Sequence, residues 1–163
     1  MFQYSFGRAL SIRNSTELAL DTGAFSSYNL HNGYELSRLF NISASIADES
    51  DFHRVLGWRG YASVRQALIR RRYSIMRGKR IIVETQPGRH TGLSDLPDDC
   101  YLSGYWQSEK FFSSYQDQIR SDFTFKVPLT SKNQAVYEDL ISYDAISVHV
   151  RRGDYVHDLK SST

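Results

Sequence analysis

The sequence contains a single cysteine, Cys100, among 163 residues. A lone thiol excludes a disulfide within the chain and is typical of a reducing compartment. No apolar run approaches the ~20 residues of a membrane-spanning helix. Polar residues near the start, among them Gln3 and Arg8, interrupt the apolar core that a secretory signal needs. We therefore expect a cytoplasmic protein, and a second interpretation, given below, adds peripheral contact with the inner face of the membrane.

The sequence also lacks a strong charge imbalance and two nucleotide-binding motifs. Its net charge of +2 implies no nucleic-acid partner by itself. The absence of a Walker-type Gly-x-x-x-x-Gly-Lys motif argues against an ATPase. No Asp-x-Asp triplet is present, which favours phosphate binding by arginines over a metal-nucleotide site. The composition, with 40% apolar and 13% aromatic residues, predicts a soluble globular domain.

Hydrophobic periodicity predicts strands that alternate with helices. Phe2, Phe6, Ala9 and Leu10 predict a buried helix face ending near Asn14, and Phe112, Tyr115, Ile119 and Phe123 predict another. Helical patterns also cover residues 60–79, with Val64, Leu68 and Ile75 inward, and residues 132–142. Strands are predicted at residues 16–21, 80–84, 101–106 and 146–150. This order predicts an α/β domain with a largely parallel sheet.

Two shorter stretches complete this reading of the chain. Residues 34–42 fit either a short helix or an irregular segment, and residues 48–51 are predicted to be an acidic loop. Residues 65–80 contain seven basic side chains and no acidic one. Such a run is usually a solvated helix face. The second interpretation is contact with anionic lipid or a lipid-linked acceptor, and a nucleic-acid site has less support because no aromatic stacking array accompanies the run.

The last predicted strand ends in a cationic pair, Arg151 and Arg152, followed by a glycine and Asp154. Ligands of parallel α/β sheets bind beyond the carboxyl ends of strands. Two guanidinium groups there suit the oxygens of a diphosphate, and His149 shares a strand face with Arg151. Asp154 can hold an arginine or bind a sugar hydroxyl. On spacing alone, a solvated arginine pair is the commoner arrangement.

Tyr105, Trp106 and Gln107 lie at a second predicted strand end. An exposed Tyr-Trp pair followed by an amide suits a sugar, because aromatic rings stack on sugar C–H faces and the amide bonds hydroxyls. A packed aromatic corner explains the same residues equally well.

Three ordered stretches resemble one enzyme family. Residues 149–155, His-Val-Arg-Arg-Gly-Asp-Tyr, resemble the His-x-Arg-Arg-x-Asp signature of fucosyltransferases, in the form used by the α-1,2-fucosyltransferases of glycosyltransferase family 11. Residues 1–10 and 101–112 are similar to two further stretches of that family, in the same order. Each motif alone is weak, but together they span almost the whole chain.

The resemblance implies a Rossmann-like domain of a GT-B glycosyltransferase, incomplete in this chain. Residues 1–143 would form the N-terminal domain and residues 144–163 the start of the donor-binding domain. The implied reaction moves L-fucose from GDP-fucose to the 2-hydroxyl of a terminal galactose, with inversion and without a metal or other cofactor. The acceptor is a glycan or lipid-linked oligosaccharide, as in O-antigen or glycan biosynthesis.

The resemblance also implies roles for the site residues. Arg152 would stabilise the leaving diphosphate, and His149, Arg151 and Asp154 would bind the donor, with Asp154 a weaker catalytic candidate. Tyr105, Trp106 and Gln107 are weaker candidates for acceptor binding. No catalytic base is assigned. Family members carry a Gly-Leu-Gly-Asn-Gln segment just before the stretch that matches Met1, so we expect a fragment that lacks this segment and the C-terminal half.

Two other functions remain open at this point. One is a non-catalytic sugar- or nucleotide-binding domain that shares the fold. The other is a transferase that uses another diphosphate donor or a sulfonucleotide.

Overall fold

A computed structural model describes residues 1–27, 33–85, 95–146 and 148. The chain divides into two compact units, Met1–Lys126 and Val127–Thr163. The α-helices in the described residues are α1 (Phe2–Asn14), α2 (Leu36–Leu39), α3 (Glu49–Leu56), α4 (Ala62–Leu68), α5 (Gln116–Asp122) and α6 (Ser131–Ile141). The strands are β1 (Ala19–Leu20), β2 (Ser45–Ile46), β3 (Ile81–Val83) and β4 (Tyr101–Ser103). Short 3₁₀ helices occupy Gly23–Ser27, Gly57–Gly60, Arg71–Met76, Glu109–Phe111 and Ser113–Tyr115.

Helix α1 confirms the periodicity of the first residues. Phe6, Ala9 and Leu10 are buried as predicted, and the helix ends where Ser15 adopts a left-handed conformation with φ 52°. The prediction was wrong for Phe2, which is 44% exposed. Phe2 lies in the first turn of α1, where its ring packs against the ring of Phe112.

The described strands pair in parallel, as predicted, but they form two separate two-stranded sheets. In one sheet Ala19 of β1 lies opposite Ser45 of β2, and in the other Ile81 of β3 lies opposite Tyr101 of β4. Each strand is only two or three residues long. This mixture of helices and parallel strands agrees with an α/β glycosyltransferase domain.

Residues 48–51 are not the acidic loop that their composition predicted. Asp48 is the N-cap of α3, and its side chain accepts a hydrogen bond from the backbone N–H of Asp51. The Asp51 side chain accepts from the N–H of Asp48 in return. The carboxylates therefore begin a helix, because they satisfy backbone donors that the first helical turn leaves unpaired.

The predicted helix over residues 60–79 is interrupted. Helix α4 ends at Leu68, and Arg70 has extended backbone angles before the chain enters a 3₁₀ helix. Leu68 is buried as predicted, but Ile75 is 99% exposed. Because the break resets the helical period, the spacing from Leu68 to Ile75 no longer places them on one face.

Two hydrophobic clusters hold the first unit together. One contains Phe6, Leu10, Leu96, Trp106 and Phe111, and so joins α1 to the residues after β4. The other contains Leu56, Leu68 and Ile81, and so packs α3 and α4 against β3. The helix predicted to carry Phe112, Tyr115, Ile119 and Phe123 is shorter than expected, because α5 begins at Gln116 after two 3₁₀ helices. Ile119 is buried, whereas the other three side chains lie outside α5 and are half-buried.

In the second unit, α6 confirms the helix predicted at residues 132–142, and the Thr130 side chain caps it by accepting from the N–H of Asn133. Ile146 and Val148 are not part of a strand and are 93% and 80% exposed. The rest of the strand predicted at residues 146–150 lies outside the described residues. In the part of the chain that the structure describes, no helix has the length and apolar character needed to cross a membrane.

Candidate active site

The segment Gly104, Tyr105 and Trp106, here called the β4 junction, follows the carboxyl end of β4. Glu84, which follows the carboxyl end of β3, reaches across to it. One carboxylate oxygen of Glu84, Oε2, accepts hydrogen bonds from the N–H of Tyr105 at 2.7 Å and of Trp106 at 3.1 Å. A carboxylate that accepts two backbone N–H groups fixes the direction of the chain at that point.

Helix α1 contacts the β4 junction from a different part of the sequence. Gln3 Nε2 donates a hydrogen bond to the carbonyl oxygen of Gly104 at 2.7 Å, across 101 positions of sequence. Gly104 has no space for a side chain, because an added Cβ would lie 2.5 Å from Glu84 Cβ. Glycine is therefore required where the backbone passes between Glu84 and Gln3.

Trp106 occupies an unusual conformation within this junction. Its φ is 53°, a left-handed value that bulky residues rarely adopt. The indole is only 2% exposed, stacks on Phe6 with ring centroids 4.4 Å apart, and meets the edge of Phe111 at 5.8 Å. Trp106 therefore belongs to a packed aromatic corner, the second of the two alternatives that the sequence left open, and its ring is not exposed for stacking on a sugar.

Tyr105 and Gln107 differ from Trp106 in exposure. Tyr105 is 71% exposed, and Gln107 is exposed as well. Tyr105 and Gln107 are thus exposed on either side of the buried Trp106, and the exposed Gln3 bonds the backbone just before them, at Gly104. An exposed aromatic ring and an exposed amide are side chains that suit recognition of a sugar's C–H face and hydroxyl groups.

A second polar network attaches α1 to α5. The Tyr4 hydroxyl donates to Asp122 Oδ2 at 2.5 Å and accepts from the N–H of Ser43 at 2.9 Å. Arg8 Nε donates to the same carboxylate oxygen at 2.8 Å. Burial, followed by the hydrogen bond to Asp122, raises the pKa of Tyr4 well above its ordinary value. The network fixes α1, and with it the position of Gln3.

A third buried group lies at the carboxyl end of β1. Tyr101 donates its hydroxyl to Asp21 Oδ2 at 2.8 Å, and Arg65 Nε lies 3.4 Å from the same oxygen. Arg65 is 4% exposed, with its guanidinium 3.4 Å from the centre of the Phe52 ring. Burial and the charge of Asp21 raise the pKa of Tyr101. The prediction of a solvated basic face was therefore wrong for Arg65, which is part of the core.

The cleft found in the first unit lies beside the amino-terminal ends of β1 and β4. Its volume is about 560 Å³, and its lining includes Leu10, Leu18, Arg54, Asp99 and Cys100. Burial, with the charges of Asp99 and Asp98, raises the pKa of the Cys100 thiol to about 11, so this thiol stays protonated at neutral pH. Across residues 1–27, 33–85 and 95–146, no three His, Cys, Asp or Glu side chains are grouped to hold a metal ion.

The arginine pair cannot be placed in the same way. His149, Arg151, Arg152 and Asp154 lie outside the described residues. Their roles stay predictions from the sequence, as do the acceptor-binding roles of Tyr105 and Gln107.

Gln3 and Glu84 are functional candidates that the sequence reasoning missed. From the sequence, Gln3 was named only as a polar residue that excludes a secretory signal, and Glu84 only as the end of a strand. Only Glu84 carried a usable signal, because an acidic residue directly after a buried strand lies at the ligand edge of a parallel sheet. The contact of Gln3 depends on tertiary packing, which periodicity does not encode.

Comparison with known proteins identifies the family of the chain. The sequence profile of Glycosyl transferase family 11 matches residues 49–163. An alpha-1,2-colitosyltransferase of Escherichia coli is 26% identical over 163 residues, which cover 99% of this chain and 53% of that enzyme. The chain thus spans about half the length of this curated relative. No solved structure matches the chain. Because the family profile covers more than half of the sequence, the chain belongs to glycosyltransferase family 11.

Proposed function

We propose that the protein carrying this chain transfers L-fucose from GDP-fucose to the 2-hydroxyl of a terminal galactose. Membership of the family makes it a transferase with a nucleotide-sugar donor and a glycan acceptor. The proposal adds the identity of both substrates, inversion at the anomeric carbon and independence from metal. The acceptor is a galactose-terminated glycan or a lipid-linked oligosaccharide.

The observation that carries the proposal is the contact between two of the three family-like stretches. Residues 1–10 and 101–112 meet through the hydrogen bond from Gln3 to Gly104 and through the stacking of Phe6 on Trp106. The exposed ring of Tyr105 and the amide of Gln107 flank this contact. We assign acceptor binding to these two side chains, because a sugar can stack on the ring while its hydroxyls bond the amide.

Donor binding is assigned to the third family-like stretch. As the glycosidic bond breaks, negative charge develops on the departing GDP phosphate, and cations already in place lower the barrier. Arg152 supplies that charge in our proposal, while Arg151, His149 and Asp154 bind the donor and hold the loop. On this view residues 1–143 form a Rossmann-like N-terminal domain of a GT-B enzyme, and residues 144–163 begin the donor-binding domain.

A colitose donor is the second candidate. The relative from Escherichia coli is named as an alpha-1,2-colitosyltransferase, so a protein similar to this chain is named for transfer of a sugar other than fucose. The linkage in that name agrees with transfer to a 2-hydroxyl. The two candidates differ in the donor sugar alone.

The proposal is tested by incubating the full-length protein with a galactose-terminated oligosaccharide and either GDP-fucose or GDP-colitose. We expect release of GDP from GDP-fucose and a product whose NMR spectrum shows an α-1,2 linkage. Faster transfer from GDP-colitose would select the second candidate. Donor binding without any transfer would contradict both and favour a binding domain, whereas competition by UDP or a sulfonucleotide in preference to GDP would point to another donor class.

A further inference from the structure

An acid-free segment of the chain is left unexplained by the proposed reaction. Between Asp51 and Glu84 the sequence contains nine Lys and Arg residues and no Asp or Glu. The net charge of the whole chain is only +2, so positive charge is concentrated in this segment. The structure shows which of these cations serve the fold and which face solvent.

Part of this positive charge is used internally. Arg65 is buried against Asp21, and Arg77 donates to the carbonyl oxygens of Leu68 at 2.7 Å and Ile69 at 3.0 Å. In contrast, Arg70, Arg71, Arg72 and Lys79 are exposed. These four cations lie in or beside the 3₁₀ helix Arg71–Met76. They form a positively charged surface, in which Arg72 also donates a hydrogen bond to the hydroxyl of its neighbour Tyr73 at 2.5 Å.

Large apolar side chains protrude from the same region. Ile75 is 99% exposed and Met76 is 54% exposed, both in the 3₁₀ helix. Trp58 and Tyr61, at the neighbouring 3₁₀ helix Gly57–Gly60, are 55% and 57% exposed. The exposed side chain of Ile75 contributes no hydrophobic stabilisation to the fold, because its apolar surface stays in contact with water.

Arg59 links the two 3₁₀ helices. Arg59 Nε donates to the carbonyl oxygen of Met76 at 3.0 Å, and the Arg59 guanidinium lies 4.7 Å from the centre of the Trp58 ring. The same guanidinium group therefore contacts the Trp58 ring and the Met76 backbone. We call the set Trp58, Tyr61, Arg70, Arg71, Arg72, Ile75, Met76 and Lys79 the basic apolar surface.

We propose that the basic apolar surface binds the anionic face of a lipid bilayer. Lys and Arg side chains are attracted to acidic headgroups, while Trp, Tyr, Ile and Met enter the interfacial region, where apolar surface leaves water. Charge complementarity selects an anionic partner, and the projecting apolar tips select a lipid surface over a purely polar polyanion. The contact brings the enzyme to the membrane surface.

Vesicle flotation of the full-length protein tests this proposal directly. We expect binding to vesicles made of equal parts phosphatidylcholine and phosphatidylglycerol, and little binding to phosphatidylcholine alone. Binding should weaken in high salt, because exposed charges are screened. Tryptophan emission should shift to shorter wavelength on binding, and the shift should be smaller in Trp58→Phe, because Trp58 is exposed and Trp106 is already buried.

Variants separate the two parts of the basic apolar surface. Arg71→Gln with Arg72→Gln should lower the partition coefficient by roughly 25-fold, because each arginine contributes about a fivefold gain near an acidic membrane. Ile75→Ser with Met76→Ser should lower binding without altering the folded state, since both side chains are more than half exposed. Lys110→Gln with Arg120→Gln, and Ile141→Ser, are matched controls at exposed positions elsewhere.

Three results would overturn the proposal. The first is no preference for acidic vesicles. The second is equal loss of binding in the control and surface variants, which would indicate a general charge effect. The third is tight binding of a duplex oligonucleotide with no vesicle binding, which would assign the cations to nucleic acid. None of these measurements depends on sugar transfer, so failure here is distinguishable from failure of the proposed reaction.

Discussion

At the scale of single residues, Tyr4 connects the two ends of the first unit. It is 2% exposed, and its hydroxyl joins the N–H of Ser43 to the carboxylate of Asp122. Arg65 has a comparable place beside Asp21, reached from the other side by Tyr101. Neither burial could be predicted, because an arginine in a basic run and a tyrosine on a helix gain their partners only through tertiary packing.

The substitution Tyr4→Phe removes this connection and keeps the ring. We expect a loss of about 1–3 kcal/mol in the free energy of unfolding, because the N–H of Ser43 is left without its acceptor and Asp122 loses a donor. Urea unfolding followed by circular dichroism measures the change. Tyr105→Phe is the control, since that ring is 71% exposed, and it should be nearly neutral. An equal effect of both substitutions would contradict the network.

The same residue makes stability sensitive to alkaline pH. The folded state raises the pKa of Tyr4 above the ordinary 10.0, through burial and then the bond to Asp122. Below pH 10.0 both states keep the proton and the stabilisation is complete. Above it the unfolded chain ionises first, so stability falls by at most about 1.4 kcal/mol per pH unit. Tyr4→Phe should make the decline between about pH 10 and 12 shallower, and an unchanged slope would exclude this origin.

At the scale of elements, the β4 junction is the part of the candidate site that the structure describes best. Its backbone is held by Glu84 from β3 and by Gln3 from α1. Strands β3 and β4, at whose carboxyl ends the β4 junction lies, were predicted from the sequence, β3 as a short apolar run. The inward turn of Trp106 was not, because a positive φ at a tryptophan contradicts its local preference and is maintained by surrounding contacts.

Helix ends were less predictable than helix faces for a related reason. The buried face of α1 followed from spacing, but the break at Arg70 did not, because the residues around it all have acceptable helix propensity. The start of α3 could have been predicted, since an aspartate followed three residues later by another acid resembles a capping box. Composition alone misled because acidic residues are common in loops as well.

The substitution Glu84→Ala tests whether the β4 junction is preorganised by its carboxylate. Two backbone donors lose their acceptor, so we expect a loss of about 1–3 kcal/mol in stability and a raised KM for the glycan acceptor. Glu84→Gln retains a side-chain oxygen and should recover much of both properties. Glu49→Ala, an exposed acid in α3, serves as the matched control. Acceptor KM and stability equal to those of the control would refute the role of Glu84.

At the scale of the whole molecule, the sequence predicted the family and the parallel pairing of strands. The separation of the strands into two short sheets was not visible, because strand order depends on contacts between distant residues. The catalytic proposal and the proposal for the basic apolar surface depend on different residues, and the two compact units are likewise made of different residues. The donor-binding assignment rests on sequence alone, since residues 149–163 lie outside the described part of the chain.

The rate of fucose transfer by the Arg152→Ala variant tests the central claim most directly. In the full-length protein, with GDP-fucose and a soluble galactose-terminated acceptor, we expect kcat to fall on the order of 10²-fold or more, because the leaving phosphate loses its cation. Arg120→Ala, at a 74% exposed side chain on α5, should retain the normal rate. Near-normal turnover by Arg152→Ala would contradict the account.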